Sequence, residues 1–288
     1  MIFRPAGRAL PERARRVFCV SHKLLEGTTV PIRSGYAEGE VCWTDLQTPD
    51  VAAAKAFYGP LFGWRFEDLP TPDGRSYAKA FLGDDLVAVI APQNPQQGQA
   101  GTPARWNVYF AVDDAAGLAA DVTHAGGTLD FGPEAVGDNG TMVFFAPPGG
   151  GETGAWQAGS HVGSARTEEA GALAWVELLT PEPQAAVGCF QTLFGQDVTE
   201  YPQDDGGTYT TLMVAGTEVA GIATVPAAEQ DLESGWQVYF GVASVRDAVA
   251  AARAAGAVVL VEPGDAEEAG AIATIRDPQG GVISLLEV

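Results

Sequence analysis

Hydrophobic and polar positions along the chain fall into a pattern that runs, stops and starts again. Val41 to Gln47 interleaves apolar with polar side chains and reads as a short strand with turn residues behind it. Thr48, Pro49 and Asp50 then open a helix, with Asp50 as its N-cap. Ala54, Phe57, Tyr58 and Leu61 recur at helical spacing, and Gly63 supplies the C-cap. Three strand-like runs follow at 64–66, 76–82 and 86–91, set apart by Pro, Asp and Gly turns. The same β-α-β-β-β order restarts with a strand from Trp106 to Val112. Asp113 and Asp114 cap a helix through Ala125, Gly126 and Gly127 end it, and strands are expected near 128–131, 141–146 and 152–156.

This pair of modules is itself repeated. The run Cys42, Trp43, Thr44, Asp45, Leu46, Gln47, Thr48, Pro49, Asp50 returns as Ala174, Trp175, Val176, Glu177, Leu178, Leu179, Thr180, Pro181, Glu182. Further on, Val108, Tyr109 and Phe110 return as Val238, Tyr239 and Phe240. A period of roughly 130 residues is too long for a solenoid unit and matches a small domain. The expected fold class is therefore α+β: four β-α-β-β-β modules in two tandem domains. The first is expected at 38–158, a linker at 159–171 and the second at 172–288. Pro92 to Pro103 reads as a flexible connector between modules.

Charge narrows the partners. The chain of 288 residues has a formal net charge of −21, which argues against binding nucleic acid or an anionic membrane. No apolar run is long enough to span a bilayer. The three cysteines, Cys19, Cys42 and Cys189, form no CxxC pair and suit a reducing cytoplasm. Residues 1–37 stand apart from the repeat as a basic extension that we expect to be disordered. A translation start at Val30 is one hypothesis for its origin.

Thr48-Pro-Asp50, Phe57-Tyr58, Leu61-Phe-Gly-Trp64, Val112-Asp-Asp114, Ala125-Gly-Gly127 and the closing Asp277-Pro-Gln-Gly280 together resemble the vicinal oxygen chelate superfamily. That group contains glyoxalases, bleomycin-resistance proteins and extradiol dioxygenases. The resemblance covers about residues 38–288 and is nearest to tandem glyoxalase-like members. It implies that each domain curls one mixed sheet into an open cup, with helices outside. It also implies metal ligands on the first, fifth and eighth strands, and sometimes the fourth. Those positions fall on Trp43, Asn107 and Gly154 in the first half, and on Trp175, Gln237 and Ser284 in the second. Trp and Gly cannot ligate, and amides are weak donors. The three histidines, His22, His124 and His161, lie off the expected cup strands. We therefore expect no metal and no other cofactor.

Alternation along a strand names what faces the cup instead. Trp43, Asp45 and Gln47 share a face, as do Asn107, Tyr109 and Ala111. Their counterparts are Trp175, Glu177 and Leu179, with Gln237, Tyr239 and Gly241. Each cup then presents a Trp, a Tyr, an amide and a carboxylate, a composition suited to a small-molecule pocket. We expect Trp43, Gln47, Asn107, Tyr109, Trp175, Gln237, Tyr239 and Ser284 to contact a ligand. Asp45 and Glu177 are the candidate acid–base groups, since a desolvated carboxyl is pushed toward neutrality. With so few histidines no Ser-His-Asp set can be assembled. Gly149, Gly150 and Gly151 lack the Lys-Ser/Thr of a phosphate loop.

Three functions remain open at this point. One is metal-independent binding of a small molecule, as in drug sequestration. The second is a metal-free lyase, isomerase or cyclase acting on a carbonyl compound. The third is a structural pseudo-enzyme whose aromatic side chains fill its own cups. Fusion supplies internally the pairing that single-domain relatives gain by dimerising. A monomer is thus expected, with a dimer as the alternative.

Overall fold

The computed structural model describes residues 32–71, 74–203, 206–225, 234–264 and 271–288. The proposed start at Val30 and most of the basic extension lie outside them. Each half of the chain forms one open eight-stranded sheet. The first contains β1 (Val41–Thr48), β2 (Arg65–Pro70), β3 (Ser76–Leu82), β4 (Asp85–Pro92), β5 (Arg105–Ala111), β6 (Thr128–Ala135), β7 (Gly140–Ala146) and β8 (Thr153–Ala158). Its spatial order is β2-β3-β4-β1-β5-β8-β7-β6. The second contains β9 (Leu173–Leu179), β10 (Asp197–Pro202), β11 (Thr208–Val214), β12 (Thr217–Ala223), β13 (Gly235–Val242), β14 (Val258–Val261), β15 (Ile272–Arg276) and β16 (Val282–Glu287). Its order, β10-β11-β12-β9-β13-β16-β15-β14, repeats the first strand for strand.

The four β-α-β-β-β modules are visible in the pairings. Within a module the first strand runs parallel to the last, as β1 does to β4. Two modules then join through their first strands, β1 antiparallel to β5 and β9 antiparallel to β13. Module helices α1 (Val51–Phe62), α3 (Ala115–Asp121), α4 (Pro183–Phe194) and α5 (Val245–Ala254) cross from first to second strand. At the start of α1, the Asp50 carboxylate accepts a hydrogen bond from the Ala53 amide at 3.0 Å. At its end, Gly63 takes φ 70°, which costs glycine little.

The helix-bearing faces of the two sheets meet in one continuous core. Phe110 of β5 lies 5.2 Å from Phe190 and 5.5 Å from Phe194, both on α4. Phe240 of β13 lies 4.8 Å from Phe62 and 4.9 Å from Trp106 in the other half. Polar bonds also cross. Tyr58 donates to Asp277 at 2.6 Å, and Gln279 accepts from the Asp50 amide at 2.9 Å, so the closing turn of one half helps cap a helix of the other. The faces turned away from the helices are the cups.

Two segments differ from the sequence expectation. The connector expected to be flexible contains α2 (Pro95–Ala100), closed by a capping box between Asn94 and Gln97. Its polar composition gave no apolar stripe, because all of its helical signal lies in the cap. Residues 159–171 are more than a connection. The Ser164 amide bonds to Cys42 O and the Ala165 amide to Leu86 O, both at 2.8 Å, and Arg166 pairs with Asp85 at 2.6 Å. These bonds tie the segment along the first sheet as a strap. Tyr36 donates to Ser164 O at 2.6 Å and holds the chain before β1 against the strap. Among the described residues, no helix is long and apolar enough to cross a membrane.

Candidate functional site

In the first cup, register brings Asp45 of β1 between Asn107 of β5 and Val89 of β4. Both carboxylate oxygens are used. Asn107 Nδ2 donates to Oδ1 at 2.6 Å, and the Tyr109 hydroxyl donates to Oδ2 at 3.0 Å. Burial nonetheless pushes the Asp45 carboxyl up to about 6, against the lowering effect of those two bonds and of nearby Arg105. The Tyr109 hydroxyl is held well above its ordinary value by burial and by the Asp45 charge. One step along β1, Gln47 accepts from Gln97 of α2 at 3.0 Å, so the connector helix reaches the cup rim.

Aromatic rings wall this carboxyl. Trp43 pairs with Tyr109 across β1 and β5 and is buried. Tyr109 packs edge-on to Phe144 at 5.3 Å. Tyr109 sits over Gly154 because glycine leaves the room. A Cβ at 154 would lie 2.3 Å from the Tyr109 ring. His161, from the strap, sets its ring at 83° to Trp43 with centroids 4.4 Å apart, and lies 5.7 Å from Trp156. Trp156 Nε1 donates to the His161 carbonyl at 2.8 Å. Burial, with a smaller contribution from Lys79, lowers the His161 imidazole to about 4, so it is neutral at neutral pH.

The second cup keeps the plan but not the accessibility. Glu177 pairs with Gln237 across β9 and β13 and is fully buried, whereas Asp45 is half-buried. Its Oε2 accepts from the Tyr239 hydroxyl at 2.9 Å. Trp175 Nε1 donates to the Tyr209 hydroxyl at 3.1 Å, and Tyr209 crosses close over Gly221. Ser284 spends its hydroxyl on Thr274 at 2.9 Å. The amide oxygen of Gln237, like that of Asn107, is buried without a hydrogen-bond partner among the described residues.

The strand positions chosen by alternation thus come together in two clusters: Trp43, Asp45, Gln47, Asn107 and Tyr109 in one, Trp175, Glu177, Gln237, Tyr239 and Ser284 in the other. His161, Trp156, Phe144 and Tyr209 belong beside them and were missed. Alternation from Gly154 would have found Trp156, and the repeat of Tyr77 at 209 would have found Tyr209. Nothing in the strap's composition marks His161.

The model of the Glyoxalase/Bleomycin resistance protein/Dioxygenase superfamily matches this chain twice, over residues 41–152 and 172–285. The chain belongs to that superfamily. Among curated members it is 38% identical over 259 residues to the candidate glyoxylase CFP32 of Mycobacterium tuberculosis, covering 90% of this chain and 98% of that one. It is 33% identical over 271 residues to the anthracycline biosynthesis protein DnrV of Streptomyces peucetius, covering 88% and 94%. In fold it resembles the Mn(II)-bound glyoxalase of Novosphingobium aromaticivorans, with a TM-score of 0.59 at 18% identity over 87% of this chain and 82% of that one.

Superfamily membership raises the question of a metal. The positions that would hold one carry Trp43, Asn107 and Gly154, and Trp175, Gln237 and Ser284. Among the described residues no three His, Cys, Asp or Glu side chains gather. His161 meets Trp rings in place of other donors, and His124 is exposed beyond α3. A divalent transition ion takes three or four imidazole, thiolate or carboxylate ligands. The described residues do not fit one.

Proposed function

We propose that this superfamily member is a metal-independent small-molecule-binding protein whose first cup takes the ligand. The carrying observation is Asp45, a half-buried carboxyl oriented by Asn107 and Tyr109 inside walls of Trp43, Trp156 and Phe144. Such a site favours a flat apolar body with a hydrogen-bonding or cationic group set against the carboxylate. The likeness to DnrV supports the same class, since an anthracycline is a flat polycyclic compound bearing polar groups. Glu177 lies deeper, among buried Trp175, Tyr209 and Tyr239, so the second cup reads as closed by its own side chains and structural. We extend the proposal to a monomer in the cytoplasm, on the fused halves and the isolated cysteines.

A second reading has its own support. A carboxyl at about 6 exchanges its proton near neutral pH, which suits a general acid–base in a lyase or isomerase acting on a carbonyl compound. Native mass spectrometry of protein purified without metal-affinity resin or chelator tests the proposal. An organic mass released on denaturation, with no stoichiometric metal, is expected. One bound metal ion per chain would overturn it. Asp45→Asn then separates the two readings: weakened ligand retention marks a binder, and retained binding with lost turnover marks an enzyme.

A further inference from the structure

Register lays one residue from each of five strands in a row across the first sheet: Glu67, Lys79, Val89, Asp45 and Asn107. Residues paired in this way share a face. Val89 packs against the aromatic cluster of the cup, whereas Ala78 and Ala80, on either side of Lys79, belong to the core shared by the two halves. The Lys79 side chain therefore rises on the cup face. Its charge adds to burial in lowering the His161 imidazole, which sets the ammonium on the side of the cup that the strap covers.

Lys79 is half-buried, yet among the described residues it makes no hydrogen bond and no ion pair, not even with Glu67 opposite it. A chain with 37 acidic and 16 basic residues offers a lysine many partners. Lys55, the other lysine of the described residues, pairs with Asp68 at 2.7 Å. Asp45 stands two strands from Lys79, about 10 Å along the sheet, with Val89 between them. The first cup thus holds a carboxyl and an ammonium that do not neutralise each other, separated by an apolar floor. The second cup has no such pair. In its equivalent row Lys79 is replaced by Thr211, which is buried and donates to Glu218 at 2.9 Å.

We propose that Lys79 is the anion-binding pole of the first cup, whose ligand is a flat aromatic compound with an anionic oxygen at one end and an N–H or O–H donor at the other. The oxygen meets the Lys79 ammonium, the ring system lies over Val89 against Trp43, and the donor meets Asp45. An ammonium is a compact charge with three donors, suited to a single carboxylate or phenolate oxygen. This inference rests on the reading of the first cup as a binding site and adds the polarity and length of what it takes.

Fluorescence titration of the full chain with 6-amino-2-naphthoate, and with 2-naphthylamine, which lacks only the carboxylate, tests it. Both compounds should bind the wild type saturably and both should weaken in Asp45→Asn. The carboxylate should strengthen wild-type binding by about fivefold, the scale of a half-exposed ion pair. That gain should vanish in Lys79→Thr, which installs the residue of the second half and suits a strand. It should persist in Lys55→Gln, which removes the same charge from outside the cup. Thermal midpoints check that each variant is folded. Equal wild-type affinity for the two compounds, or a gain that survives in Lys79→Thr, would overturn the Lys79 pole and leave the cup a binding site. Absence of saturable binding of either compound to the wild type would overturn the reading of the cup, and this inference with it.

Discussion

Asp45 and His161 lie in the same cup and shift in opposite directions, with opposite consequences for stability. The Asp45 carboxyl goes from an ordinary 3.8 to about 6 on folding. Between those values the folded state holds the proton and the unfolded state does not, so stability falls as pH rises through that window. His161 goes from 6.5 to about 4, so the unfolded state binds the proton first and stability falls as pH drops through that window. From about pH 4 to 6 the two slopes oppose each other. Asp45→Asn should unmask the histidine slope, giving a protein that loses stability steadily toward acid. His161→Phe should unmask the carboxylate slope, giving one most stable near pH 4. Urea titrations at several pH values measure both; parallel pH profiles in wild type and variants would remove these two groups from the account. Asp45 was legible in the sequence because strand alternation puts it beside Trp43. His161 was not, because backbone bonds position it, its own amide to Asn139 O at 3.1 Å and the following strap to Cys42 and Leu86, and these leave no side-chain pattern.

At the scale of elements, close approach decides which glycines matter. Gly154 on β8 lies under Tyr109, and an added Cβ would come within 2.3 Å of that ring. Gly154→Ala must therefore turn Tyr109 and take its hydroxyl off Asp45. The expected cost is about 1–3 kcal/mol, as for overpacking elsewhere. The Asp45 carboxyl should also rise further once one of its stabilising bonds is gone. Gly98, exposed in α2, meets nothing within 4 Å, and Gly98→Ala should stabilise by about 0.5–1 kcal/mol. Chemical denaturation of the pair tests the contrast, and equal effects would mean that Tyr109 yields freely. Both strands of this contact were readable from periodicity. The helix α2 was not, since its six residues carry a cap but no buried face. Cup asymmetry was only half readable. The exchange of Asn107 for Gln237 is in the letters, but the change in what each amide bonds depends on side-chain reach.

The whole molecule behaves as one body because its two halves share a core. Each sheet's helix-bearing face is covered by the other half, so Phe110, Phe145, Phe190, Phe194 and Phe240 are buried only when both are folded. At about 25 cal/mol per Å2 of apolar surface, baring that face would cost an isolated half more than a small domain can spare. Thermal unfolding should then be one transition, with calorimetric and van't Hoff enthalpies equal. Residues 38–158 expressed alone should aggregate or pair with themselves through the bared face. Tyr58→Phe discriminates further. It removes the donor that reaches Asp277 at 2.6 Å across the halves, leaving a buried carboxylate oxygen without it, and should cost about 1–3 kcal/mol. If the halves are one cooperative unit, the variant lowers a single midpoint and the transition stays single. If they are two units joined by a strap, the transition splits, and the stable isolated half would then have to find another cover for Phe110.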